Sequence, residues 1–146
     1  MTSARAFGGP EAAGRRIMAD GGSGAPSAVV VAGNEETRVL LRGLLRLHHF
    51  RVDGEAEGAT QCLELIREHH PNLLVADVNL AEGSPNALVT EARRSTPELR
   101  VILVAPASRP PPPSTDPEHG PDVILLRPFR IRQFAEALVP PSPSAP

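Results

Sequence analysis

Short, nearly unbroken apolar runs recur along this chain, and amphipathic helical patterns separate them. Ala28-Val29-Val30-Val31-Ala32 ends at Gly33, Leu73-Leu74-Val75-Ala76 ends at Asp77, and Val101-Ile102-Leu103-Val104 and Val123-Ile124-Leu125-Leu126 follow. Phe50-Arg51-Val52-Asp53 is a shorter, more polar member of the series. Strands that read as continuous apolar runs are buried on both faces, which is the habit of parallel sheets covered by helices. The intervening segments supply those helices. Asn34 precedes Glu35-Glu36 as an N-cap followed by acids in the first turn, and Leu40, Leu41, Leu44, Leu45 and Leu47 form one face, closed by His48-His49. A second helix is predicted over Ala59 to His70, ended by Pro71. A third runs over Pro85 to Arg94 from a start near Ser84, and a last short one over Ile131 to Val139. Strand and helix alternate, so the fold class is α/β: a doubly wound, five-stranded parallel sheet.

One crossover breaks the pattern. Seven of the sixteen residues from Pro106 to Pro121 are proline. Proline removes a backbone donor and clashes with the preceding turn, so no α-helix survives this density. The fourth helix is expected to be replaced by a Pro-rich loop, with residues 109–113 in polyproline II. Outside the alternating region, residues 1–27 are rich in Ala, Gly and Ser without periodicity and are expected to be a disordered extension. Arg15-Arg16 has no apolar stretch after it, which argues against an export signal, and Met18 is an alternative start. Residues 140–146 form a Pro/Ser tail, leaving residues 28–139 as the folded domain.

Composition removes several function classes. A net charge of −2 gives no electrostatic drive toward nucleic acid, and no apolar run is long enough to span a bilayer. Cys62 is the single cysteine, so there is no disulfide framework, and on its predicted helix it reads as inert packing. All fifteen basic residues are Arg, which excludes chemistry that needs a Lys amine. No G-x-G-x-x-G follows the first strand and no G-x-S-x-G occurs, which disfavours a dinucleotide enzyme or a hydrolase. The pairs His48-His49 and His69-His70 close helices expected on opposite faces of the sheet, so they do not make a metal site.

Residues 28–139 resemble the receiver domain of bacterial two-component response regulators. Leu73-Leu74-Val75-Ala76-Asp77-Val78-Asn79-Leu80 is similar to the family's strand ending in its phosphoacceptor Asp, with Asn two positions on. Leu125-Leu126-Arg127-Pro128-Phe129 stands where the family has Lys-Pro-Phe. The spacing of the other elements agrees, including Gly58 to Leu65 on the second helix. The resemblance implies the flavodoxin-like strand order 2-1-3-4-5 with Asp77 at the C-terminal end of the third strand. It also implies a bacterial, cytoplasmic signalling module with a protein partner, a histidine kinase or a downstream effector; no nucleic-acid or membrane partner is expected, on the charge and the apolar-run lengths above. Loss of the fourth helix removes part of the family's common dimer face, so a monomer is expected.

The departures fall on the site. The acidic pair that holds Mg²⁺ in the family falls on Ala32 and Gly33, the hydroxyl of strand four on Ala105, the Lys on Arg127, and the aromatic of strand five on Ile124. Only Asp77 and Asn79 match. Phosphoryl transfer to a carboxylate depends on positioning and charge neutralisation, each such term being worth about 10²–10³-fold. The expectation is therefore a degenerate, stand-alone receiver that is not an enzyme, needs no cofactor and acts by contact. Clustered carboxylates repel by on the order of 4 kcal/mol per pair at ~4 Å and an effective dielectric of ~20, so a lone Asp77 needs no cation. Arg127 is expected to reach Asp77 with a bidentate pair, aimed by a cis bond to Pro128, and to lower the Asp77 pKa. Two alternatives stay open. One is a single-domain regulator phosphorylated at Asp77, with Mg²⁺ held by Asp77 and Glu35. The other is a small α/β ligand-binding protein or enzyme using the C-terminal edge of the sheet.

Overall fold

The computed structural model describes residues 25–111 and 119–139. Five strands form one parallel sheet: β1 (Ser27–Val31), β2 (Arg51–Ala56), β3 (Leu73–Asp77), β4 (Arg100–Pro106) and β5 (Val123–Arg127). Their order is β2-β1-β3-β4-β5, the predicted 2-1-3-4-5 arrangement. The helices are α1 (Glu35–Leu47), α2 (Ala59–His69), α3 (Pro85–Ser95) and α4 (Ile131–Leu138).

Alternation along each strand divides the core in two. Ala28, Val30, Leu73, Val75, Ile102 and Val104 point to one face, where Leu41 and Leu45 of α1 and Phe134 of α4 cover them. Val29, Val31, Leu74, Ala76, Val101 and Leu103 point to the other, under Cys62 and Ile66 of α2 and Leu88 and Ala92 of α3. The three inner strands are buried on both sides, as their unbroken apolar runs required. Caps start two of the helices where expected. The Asn34 side chain accepts from Thr37 N–H at 3.2 Å, and Ser84 Oγ accepts from Ala87 N–H at 3.4 Å with Pro85 in the first turn.

Several expectations change. β1 begins at Ser27, which is buried and whose N–H donates to Asn72 Oδ1 at 2.9 Å; Pro26 O accepts from Arg51 N–H at 2.8 Å. The ordered chain thus starts before residue 28, because pairing with β2 continues past the apolar run. β2 extends to Ala56, with a bulge opposite Ala28 and Val29. β5 is not covered on both faces: Ile124 and Leu126 are 45% and 40% exposed, since no helix packs over that side of this edge strand among the described residues. Between Pro106 and Pro121 the described residues contain no α-helix; residues 112–118, with part of the polyproline stretch, lie outside the described residues. Residues 1–24, including Arg15-Arg16 and Met18, and residues 140–146 lie outside them as well.

Asp122 ties the far side of this crossover to the rest of the sheet. Its carboxylate pairs with Arg93 of α3 and accepts Val101 N–H at 2.7 Å, while its own N–H donates to Val101 O at 2.9 Å.

Candidate functional site

The C-terminal ends of β1, β3, β4 and β5 meet around Asp77. Its side chain is 1% exposed, the last residue of β3, where the apolar strand ends and the chain must turn. The loop that follows is pinned in three directions by backbone bonds. Val78 N–H donates to Val104 O at 2.9 Å, Gly33 N–H donates to Asn79 O at 2.8 Å, and Ala81 N–H donates to Glu57 O at 2.8 Å.

Arg127 reaches this point from the end of β5, and its peptide bond to Pro128 is cis. Arg127 Nη2 lies 3.4 Å from Asp77 Oδ1, and Nη1 lies 3.5 Å from Thr37 Oγ1. The expected bidentate fork is not formed. The guanidinium straddles Asp77 and Thr37 and gives each one long contact. Burial raises the Asp77 pKa above the usual carboxylate range; the Arg127 charge and the Val78 and Asn79 N–H groups pull it down without cancelling that push. The expected lowering is therefore corrected. A single contact to a partly exposed guanidinium does not repay the desolvation of a carboxylate closed off from water.

The positions expected to depart from the receiver pattern do so in space. Ala32 is buried at the end of β1, and its carbonyl accepts from Arg38 Nη1 at 2.6 Å. A Cβ on Gly33 would stand 3.0 Å from Asn79 O and 3.1 Å from Ala81 N, so the β3–α3 loop occupies the space a side chain there would need. Ala105 is buried beside β5 and offers no hydroxyl. Pro128 is exposed. Asn79 contributes its backbone to the loop and lines a cavity beside Arg127. Glu35 opens α1 as an exposed residue.

Mg²⁺ is the cofactor that the fold implies, and the donor set does not fit it. Mg²⁺ takes an octahedral oxygen shell anchored by carboxylates. Here one carboxylate faces the site, the pair positions carry none, and a guanidinium already lies beside Asp77. Among the described residues no group of three His, Cys, Asp or Glu could hold a metal. The His pairs end α1 and α2, on opposite faces of the sheet. The Cys62 thiol is buried, with its pKa pushed up to about 12 by desolvation, which makes it inert.

Thr37 and Arg38 were not singled out in the sequence. Thr37 is one turn beyond the Asn34 cap, and Arg38 caps the Ala32 carbonyl and lies 3.8 Å from Glu57. The signal for both was their distance from the strand end: a helix beginning at residue 35 carries its first turn back over the sheet edge.

A five-stranded parallel sheet in this order, with a buried Asp ending its middle strand and a cis X–Pro bond after its last, is the fold of response-regulator receiver domains. Comparison with known proteins agrees. The chain is 23% identical over 101 residues to the chemotaxis protein CheY of Bacillus subtilis, covering 69% of this chain and 84% of that one. It is 28% identical over 115 residues to the polar-differentiation response regulator DivK of Brucella abortus, covering 77% and 92%. Among solved structures, a CheY-like receiver domain protein from Methanospirillum hungatei superposes with a TM-score of 0.67 at 18% identity over 78% of this chain and 90% of that one. The receiver domain of the putative regulator NarL from Mycobacterium tuberculosis gives 0.66 at 21% over 78% and 93%. No protein-family profile matches the sequence. Among the described residues no helix is long and apolar enough to cross a membrane.

Proposed function

We propose that this receiver domain is a signalling module of the two-component type that works by protein–protein contact, without efficient phosphorylation of Asp77. One observation carries the reading: Asp77 is the one carboxylate facing the site among the described residues, because Ala32 and Gly33 stand where the receiver pattern sets the acidic pair that gathers a metal. Arg127, 3.4 Å from Asp77, supplies a positive charge at that position but no ligand for a metal. Ala32, Gly33 and Ala105 remove the remaining groups that would neutralise transferring oxygens, and each such loss is worth about 10²–10³-fold. The partner is a kinase or an effector protein, recognised through the surface around the C-terminal edge, and the setting is a bacterial cytoplasm.

Incubation with a small phosphodonor and Mg²⁺, followed by intact-mass measurement, tests this. The expected spectrum is unchanged. A mass gain of one phosphoryl group that disappears in Asp77→Asn overturns the proposal and establishes a working response regulator.

A further inference from the structure

A cavity of about 650 Å³ opens beside Arg127, between the start of α3 and the turn that follows β4. We propose that it binds a small organic anion, a phosphate ester or carboxylate on a flat apolar body, clamped by Arg109 and Arg127. The proposal stands whether or not Asp77 accepts a phosphoryl group.

The volume lies within the ~300–1,000 Å³ typical of small-molecule sites. Among the described residues its charge is one-sided: Arg109 and Arg127 both line it, and no acidic residue does. Arg109 has no ion-pair partner among the described residues, and Arg127 gives one long contact each to Asp77 and Thr37, fewer than the five N–H donors of its guanidinium. The amides of Asn79 and Asn86 add polar groups on the α3 side.

The opposite wall is apolar and stiff. Pro106, Pro110 and Pro111 line it, and proline rings lose little freedom on binding. The two cations sit on a braced frame. Arg109 N–H donates to Pro106 O at 3.0 Å, closing the turn, and Ala107 N–H donates to Arg127 O at 3.0 Å, locking that turn to β5. A paired cationic clamp facing a proline wall matches a ligand with an anionic head and a flat body. Inorganic phosphate satisfies the clamp alone.

Titration of the ¹⁵N-labelled full chain by NMR tests the site, with phenyl phosphate and benzoate as probes and inorganic phosphate and benzylamine as comparisons. Saturable shifts are expected at the Asn79 and Asn86 amides with at least one aromatic anion. They should be at least about tenfold tighter than with inorganic phosphate and absent with benzylamine. The better of the two anions identifies the head group. Arg109→Gln, an exposed position that leaves the fold intact, should weaken binding about tenfold, the worth of one charge-assisted hydrogen bond, as should Arg127→Gln. Arg67→Ala on exposed α2 should leave it unchanged. No saturation by about 10 mM, equal affinity for inorganic phosphate, or an equal loss in Arg67→Ala overturns the proposal.

Discussion

Gly33 donates its N–H to the carbonyl of Asn79 at 2.8 Å, so the end of β1 and the loop after Asp77 are joined directly. Glycine lets the two segments approach this closely, because a Cβ would stand 3.0 Å from Asn79 O and the loop would have to give way by a few tenths of an ångström. Gly33→Ala should destabilise the fold by about 1–3 kcal/mol, the usual cost of overpacking against backbone. Urea unfolding measures it, and a change within error would show that the loop yields freely.

Magnesium should have little effect on the wild-type chain. A ligand present near or below its Kd stabilises by well under ~1 kcal/mol, so millimolar Mg²⁺ should leave the melting temperature unmoved. A rise of several degrees that is lost in Glu35→Gln would place that carboxylate in a metal shell.

Asp77→Asn should stabilise the domain at neutral pH, by on the order of 1 kcal/mol, the common scale of a point substitution. The folded-state pKa of Asp77 is raised, so the native state holds that proton more firmly than the unfolded chain does. Its contribution to stability is complete below the unfolded value of about 3.9 and is lost as pH rises through the higher folded value. The amide never ionises and escapes that loss. The gain should appear near neutral pH and vanish toward pH 4 in paired denaturation curves. Destabilisation at pH 7 would mean that the pair with Arg127 outweighs the burial of the charge.

Arg127→Gln should push the Asp77 pKa higher still, because the guanidinium is the largest influence holding it down. Carboxyl ¹³C shifts followed through a pH titration read this directly. An unchanged midpoint would show that Arg127 does not sense Asp77 in solution.

Asp122→Ala should cost about 1–3 kcal/mol, since it strips Val101 N–H of its side-chain acceptor and Arg93 of its ion-pair partner at once. Thermal unfolding checks it. A loss no larger than that of Arg93→Ala would assign the effect to the ion pair alone.

The parts legible from residues were those with strong periodicity. Val29 to Val31, Leu74 to Ala76 and Val101 to Val104 could only be inner strands, and their order placed Asp77 at the sheet edge with Arg127 within reach. β2 was harder, because Asp53, Gly54 and Glu55 carry no apolar alternation and their pairing is held by the backbone. The exposure of Ile124 and Leu126 was hidden for the opposite reason: an apolar run looks the same whether one face or two are covered. The sign of the Asp77 shift is not legible in the sequence, because residue types reveal charge pairs, whereas the depth of burial that outweighs them is a property of the assembled edge.

The crossing of Arg127 over Asp77 and Thr37 also bears on how the chain reaches its native state. The two contacts span 50 and 90 residues of sequence. Neither can form in a fragment that ends before β5 or in a local hairpin, because parallel strands pair only across long connections. Both contacts therefore wait on closure of those connections, and a chain in which β5 has not yet joined the sheet presents Asp77 without its guanidinium. Any partner that distinguishes the two forms reads the completion of folding itself.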